Sequence, residues 1–182
     1  DNGNVTWGWN APFFDDFPET EHLFDFMKNA NITRKISQGM YVLTTVGGGC
    51  IVDAVSQISM GDNPLISVAV MKKNYTNELL HKNNTFALSI IGMKTNPEII
   101  KTFGFNSMRD INKFESIETV EVEGVNVIKD SLGYMVCEII DSIDNDTHTL
   151  FIGKVRDIKI EDKEPLLFFN GQYRAVKRKF AY

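Results

Sequence analysis

Two cysteines in 182 residues, with no Cys-x-x-Cys pair, argue against iron–sulfur or zinc ligation by thiolates. Cys50 and Cys137 both lie in apolar, strand-like runs. They read as buried free thiols, because a reactive thiol needs an electropositive and accessible site. No apolar run approaches the ~20 residues of a membrane-spanning helix, and the residues after Asp1 show no signal-peptide pattern. With no initial Met, a removed leader stays open. Basic residues are not in surplus either: the formal net charge is −5. That argues against a nucleic-acid partner, which demands a basic face, and allows a cationic partner or plain solubility. There is no catalytic-triad or metal-ligand motif. The glycosylation-like triplets at Asn4, Asn31, Asn74, Asn83 and Asn145 read as accidents of an Asn-rich chain and give no argument for secretion.

What is present is an ordinary globular composition, 43% hydrophobic and 24% charged, at a length that suits one domain with a sizeable core. The chain is organised around residues 36–76. Three β-branched apolar runs, Met40–Val46, Cys50–Ile58 and Leu65–Met71, are separated by Gly47-Gly48-Gly49 and Gly61-Asp62-Asn63-Pro64. Short apolar runs bounded by turn residues predict consecutive antiparallel strands. Glycines can cradle phosphates, but no helix follows this triplet, so it reads as a hairpin turn. The third run ends in Lys72-Lys73-Asn74-Tyr75-Thr76 and enters a helical segment expected over Asn77–Lys82. Donors gathered at such a junction, with free backbone N–H groups and a helix dipole, favour an anion.

Elsewhere, residues 1–19 carry Trp7, Trp9, Phe13, Phe14 and Phe17 without a period. They read as an irregular arm that docks on its own domain, on a dimer partner or over a ligand. Glu19–Asn29 reads as a short amphipathic helix, which sets residues 1–30 apart from a main domain over 31–182. Thr85–Ile91 alternates as a strand. Asn96-Pro97 opens a helix that Gly104 is expected to end. Short strands are expected at Thr119–Val122 and Val125–Ile128, and strong ones at Tyr134–Ser142 and His148–Ile160. A last strand is expected over Pro165–Phe169, before a basic tail at Arg174–Lys179. Many strands with a few short helices indicate a mainly β domain, a closed barrel with appended helices.

Several segments resemble, in order, the flavin reductase-like family, whose fold is the FMN-binding split β-barrel, and most of all its flavoredoxin-type branch. They are Gln38-Gly39-Met40-Tyr41-Val42-Leu43-Thr44, Cys50–Ser59, Lys73-Asn74-Tyr75-Thr76, Phe103–Asp110 with Lys113-Phe114, and Thr147–Val155. The likeness spans about residues 32–175. Three positions depart from the family pattern. Asp53 stands for its Asn, Met108 for its Gly, and Asn63-Pro64 for its Pro-Pro. A carboxylate at Asp53 pointing inward would repel a phosphate, and Met108 would forfeit any positive φ that Gly permits.

The resemblance implies FMN as cofactor, NADH or NADPH as co-substrate, a homodimer and a cytoplasmic setting. It implies a phosphate held by Lys73, Asn74, Tyr75 and Thr76, with Ser107 and Arg109 helping to hold a phosphate or dinucleotide. A solvated turn and a surface salt bridge are the competing readings. An apolar slot for the ring system would draw on Ala54, Val55, Gln57 and Ser59, with Tyr41, Val42 and Thr44 on the neighbouring strand. Ordinary core packing competes for Val42, whereas the Gln57 amide in an apolar strand needs partners. His148, opening a strand, would donate to the flavin or orient the nicotinamide, or else be structural. Two functions follow from the resemblance: an NAD(P)H-dependent flavin reductase, or an FMN electron carrier serving a rubredoxin, a flavodiiron protein or another redox protein. An oligonucleotide-binding barrel is disfavoured by the acidic charge and the missing basic aromatic groove.

Overall fold

The computed structural model describes residues 35–161, Pro165 and the backbone of Leu167–Phe169. The chain divides into two compact units, Asp1–Ile36 and Ser37–Tyr182, and all described strands and helices belong to the second. The aromatic arm, the helix expected over Glu19–Asn29 and the basic tail lie outside the described residues.

In chain order the elements are β1 (Ser37–Gly39), β2 (Tyr41–Thr45), β3 (Gly48–Val52), β4 (Val55–Gln57), β5 (Leu65–Met71), α1 (Tyr75–Leu80) and β6 (Thr85–Ile90). There follow α2 (Pro97–Phe105), a 3-10 turn (Lys113–Glu115), β7 (Thr119–Val122), β8 (Val125–Ile128), β9 (Gly133–Asp144), β10 (His148–Ile160) and β11 (Leu167–Phe169). Asn96 accepts from the Glu98 N–H at 3.0 Å and Pro97 takes the first helical position, as the sequence predicts. Gly104 does not stop α2, which runs on to Phe105. The β7–β8 hairpin turns through Glu123 and Gly124, both at positive φ, the geometry that matches the right-handed twist of its strands.

One expectation is corrected. Cys50–Ile58 is not a single strand; it breaks at Asp53-Ala54 into β3 and β4, which lie at opposite edges of one sheet. That sheet has seven antiparallel strands in the order β3-β2-β6-β9-β10-β5-β4. A two-residue link spans only about 10 Å when extended. Its two edges must therefore converge at Asp53-Ala54, which curls the sheet into a barrel split between β3 and β4. The smaller pairs β1-β11 and β7-β8 stand beside it.

Inside the curl, Leu43, Cys50, Val52, Val68, Val70, Phe86, Leu88, Cys137 and Phe151 form the main core with Leu80 of α1. The outer face is covered too. Met40 and Val42 meet Ile99 and Phe103 of α2, and Ala87 and Val136 meet Val125 and Val127 of β8. Where the sheet is buried on both faces, at β2 and β6, burial is continuous rather than alternating, whereas β10 alternates and leaves its outer side half-buried. Helix α1 packs on β5, β2 and β3, so it bridges the split at the end away from Asp53.

The corner beside α1

The turn after β5 is tied into the sheet: Lys72 N–H donates to Thr147 O and Asn74 N–H to Met71 O, both at 3.0 Å. Lys73 is exposed and Asn74 and Tyr75 half-buried, while Thr76 is only 3% exposed. Asn74 holds the capping position of α1 without a side-chain capping bond. Its amide and the Thr76 hydroxyl instead meet the Cys50 sulfur. Asn77, which sequence reasoning passed over, donates from Nδ2 to Val70 O at 3.0 Å and pins α1 to β5. Because α1 has six residues, its dipole is slight, and the anion-favouring character expected of this junction falls to side chains.

A second segment folds onto the same corner. Gly48 leaves no room for a side chain: a Cβ there would come within 2.6 Å of Leu79 on α1 and 3.4 Å of Met108. Met108 thereby packs on the β2–β3 turn, and its sulfur accepts from Lys113 N–H at 3.3 Å. No positive φ is needed at Met108, since Glu123 is the sole non-glycine with one among the described residues. Ser107 Oγ accepts from Arg109 N–H at 3.1 Å. The Arg109 guanidinium stands 4.7 Å from the Tyr75 ring centroid and pairs with Glu78 of α1. Lys73, Asn74, Tyr75, Ser107 and Arg109, from stretches some thirty residues apart, are thus gathered around one corner. Thr76 is turned inward beneath them.

Beneath this corner lies a residue that the sequence did not single out as a site residue. Lys113 is 2% exposed; its Nζ donates to Gly49 O at 2.9 Å and to Phe103 O at 3.3 Å. Burial lowers the Lys113 pKa, against a smaller opposing effect of Cys50. Burial raises the Cys50 thiol pKa, with Thr76, Lys113 and Asn74 pulling the other way.

His148 opens β10 opposite Met71, so it flanks the same turn. Its Nδ1 lies 2.8 Å from Thr147 Oγ1, leaving Nε2 as the nitrogen available to a ligand. Nearby, the Thr149 hydroxyl, with Lys72 and His81, holds the Asp144 carboxyl below its usual range.

The expected ring slot is only partly assembled. Ala54 and Val55 sit at the split, where Ala54 O accepts from Ala69 N–H at 3.0 Å and Val55 pairs with Val68. Lys73 lies four positions beyond Ala69, two along β5 to Met71 and two in the turn that follows. That is at most about 13 Å of extended chain, a separation that an elongated ligand with one charged end can bridge. Tyr41, paired with Val52 beside Asp53, packs on the inner core, and burial raises its phenol pKa. Val42 and Thr44 are corrected: both are fully buried on the outer face, Val42 against α2 and Thr44 donating to Asn126 O. Their side chains offer no surface to a ligand. Gln57 is exposed on β4, with its Nε2 donating to Ser59 O at 3.0 Å. Ser59 Oγ closes the same hairpin by accepting from Leu65 N–H at 2.9 Å. Asp53 lies three residues beyond Cys50 along β3 and its continuation, away from the charged corner.

The family described as "Flavin reductase like domain" matches residues 33–177. The chain is 31% identical over 150 residues to a high molecular weight rubredoxin from Moorella thermoacetica, covering 79% of this chain and 64% of that protein. It thus spans somewhat less than two thirds of that relative's length. It is 27% identical to a ferric-chelate reductase (NAD(P)H) from Archaeoglobus fulgidus, over 79% of this chain and 88% of that one. Among solved structures it is similar to the flavin reductase PheA2, with a TM-score of 0.67 and 27% identity, over 84% of this chain and 95% of the other.

Proposed function

Since the chain belongs to the flavin reductase-like domain family, we propose that it is an NAD(P)H-dependent flavin oxidoreductase that binds FMN and passes electrons onward. A bound flavin supplies the hydride chemistry, which asks no nucleophile of the protein. The observation that carries the reading is the convergence of the Lys73–Thr76 turn with the Ser107–Arg109 loop. Together they set a lysine, an arginine, an amide and a hydroxyl just beyond the end of β5, within about 13 Å of chain from Ala69, which bonds to the split at Ala54-Val55. That donor set fits a phosphoester. Lys73 supplies a point charge, Arg109 a planar fork, and Asn74 and Ser107 directional donors, while Tyr41, Ala54 and Val55 flank the apolar end. His148, with Nδ1 engaged by Thr147, turns Nε2 to a ligand near the turn, in position to orient a reduced nicotinamide.

The working form is taken to be a cytoplasmic homodimer. Support for the dimer comes from the outer side of β5, β10 and β9, where Leu65, Ala69, Leu150 and Ile152 are half-buried and Met71 and Ile143 exposed. No helix among the described residues is long and apolar enough to cross a membrane. The alternative is an FMN electron carrier that passes electrons to a rubredoxin or another redox protein without oxidising NAD(P)H itself; the likeness to a high molecular weight rubredoxin favours it. An absorption spectrum of the purified protein with FMN, followed anaerobically by NADH and then NADPH, separates the readings. Rapid bleaching of bound flavin by either nucleotide supports the reductase. Bleaching only by a reduced protein partner supports the carrier, and failure to bind any flavin defeats both.

A further inference from the structure

Lys113 poses a physical problem that its hydrogen bonds do not solve. Buried lysines are rare unless paired with a carboxylate, yet its two acceptors, Gly49 O and Phe103 O, are neutral. Among the described residues no carboxylate forms an ion pair with it. The Phe103 ring, its centroid 5.5 Å from Nζ, gives a cation–π contact but no compensating charge. Tying the end of α2 to β3 would need only a neutral donor. A full charge kept here calls for an anion that the described residues do not provide.

The direction in which that anion lies can be traced. Gly49, which Lys113 holds, is followed by Cys50, whose sulfur meets the Asn74 and Thr76 side chains. The charge of Lys113 is felt at that sulfur. Met108, which receives Lys113 N–H, leads directly into Arg109. Lys113 therefore sits under the floor made by Cys50 and Thr76, with Lys73, Asn74 and Arg109 above. Low-dielectric surroundings let a charge act through such a floor more strongly than through water.

We infer that Lys113 is the buried counter-charge of this corner, a positioning residue that makes the protein select phosphorylated flavins over riboflavin. It acts through the Gly49–Cys50–Thr76 floor without touching the ligand, and the assignment rests on the flavin reading above.

The test compares FMN and riboflavin affinities, by quenching of flavin fluorescence, in wild-type protein, Lys113→Gln and Lys113→Arg. Gln keeps donors for both carbonyls and drops the charge; Arg keeps the charge. Lys113→Gln is expected to weaken FMN by about tenfold, from a unit charge acting over several ångström at an intermediate dielectric. Riboflavin binding should stay within about twofold, and Lys113→Arg should recover most of the preference. Equal weakening of both flavins, or an unchanged FMN preference, overturns the assignment and leaves Lys113 a structural tie. Should the Gln variant fail to fold, 15N-lysine NMR of the wild type replaces it: a buried, slowly exchanging Nζ resonance must move with FMN and not with riboflavin, and equal movement overturns the assignment. Wild-type protein that binds neither flavin ends the flavin reading and this inference with it. A wild-type FMN preference that persists in Lys113→Gln ends this inference alone.

Discussion

The two cysteines mark two walls of one barrel, and their surroundings differ. Cys137, on β9, is fully buried in the inner core, and burial alone pushes its pKa up to about 12. Cys50, on β3, is nearly as buried, but Asn74, Thr76 and Lys113 oppose the effect of burial. The same residue type in the same core thus reports two kinds of wall. Around Cys137 the β9 wall acts through burial alone. The β3 wall meets polar side chains and a charge, and it is here that the proposed flavin phosphate would lie.

Mutations should keep the two walls separate. The largest effect is expected from Phe151→Ala on the packed side, costing about 3–5 kcal/mol of stability in denaturant unfolding, with the FMN-over-riboflavin preference of the folded fraction intact. A change in that preference would mean the walls are coupled. Lys73→Ala, on the charged side, should weaken FMN by about 1–3 kcal/mol, as for a lost charge-assisted bond, with little change in melting temperature. Unaltered FMN affinity would remove the phosphate from this turn.

Alkaline pH sharpens the contrast. The unfolded Cys137 thiol loses its proton near pH 9.0, whereas the folded one keeps it to about 12. Above pH 9 the unfolded chain binds fewer protons, so stability falls as pH rises, by about 1.4 kcal/mol at pH 10. Melting curves of Cys137→Ala should lack this loss. Lys113 works in the opposite sense: its pKa is lowered by folding, so stability rises with pH between its folded value and the ordinary lysine value. Lys113→Gln should therefore steepen the alkaline decline. The smallest effect is expected at Glu78→Gln, which frees Arg109 from an exposed pair. Such pairs are worth about 0–1 kcal/mol, so FMN should tighten only a few-fold while riboflavin stays unchanged. Weaker FMN binding would show that Glu78 aids the site rather than competing with its ligand for Arg109.

Much of this was legible in the residues, for identifiable reasons. Asn96-Pro97 announces α2 because cap and first-turn chemistry is local, and the turn glycines and apolar runs locate most strands. Parity was not legible. In a sheet covered on both faces, Val42 and Leu43 are equally apolar, so no alternation says which points inward, and Val42 and Thr44 were misassigned for that reason. The break at Asp53-Ala54 was hidden because β-branched residues stand on both sides of it and nothing in the pair forces a turn. The exposure of Gln57 was not legible, because the place of its strand at a sheet edge is a property of topology. The Lys73–Thr76 and Ser107–Arg109 candidates came from motif resemblance, and the structure brings them to one corner. Lys113, though within a segment that carries the resemblance, and Glu78 were given no role because, in sequence, a lysine before Phe114 and a glutamate in a short helix look like any solvated charge. Only the packing of residue 113 against residue 49 makes the difference visible.

The two-residue link between the opposite sheet edges also bears on how the domain folds. Hairpins β2–β3 and β4–β5 are local and are tethered end to end through Asp53-Ala54. They can form early with little loop-closure entropy. The β9–β10 hairpin must then enter between β6 and β5, and its pairing with β5 joins residues about eighty positions apart. That late, non-local insertion is expected to limit the folding rate. Lengthening the Asp53-Ala54 link should slow refolding, with little change in the rate of unfolding.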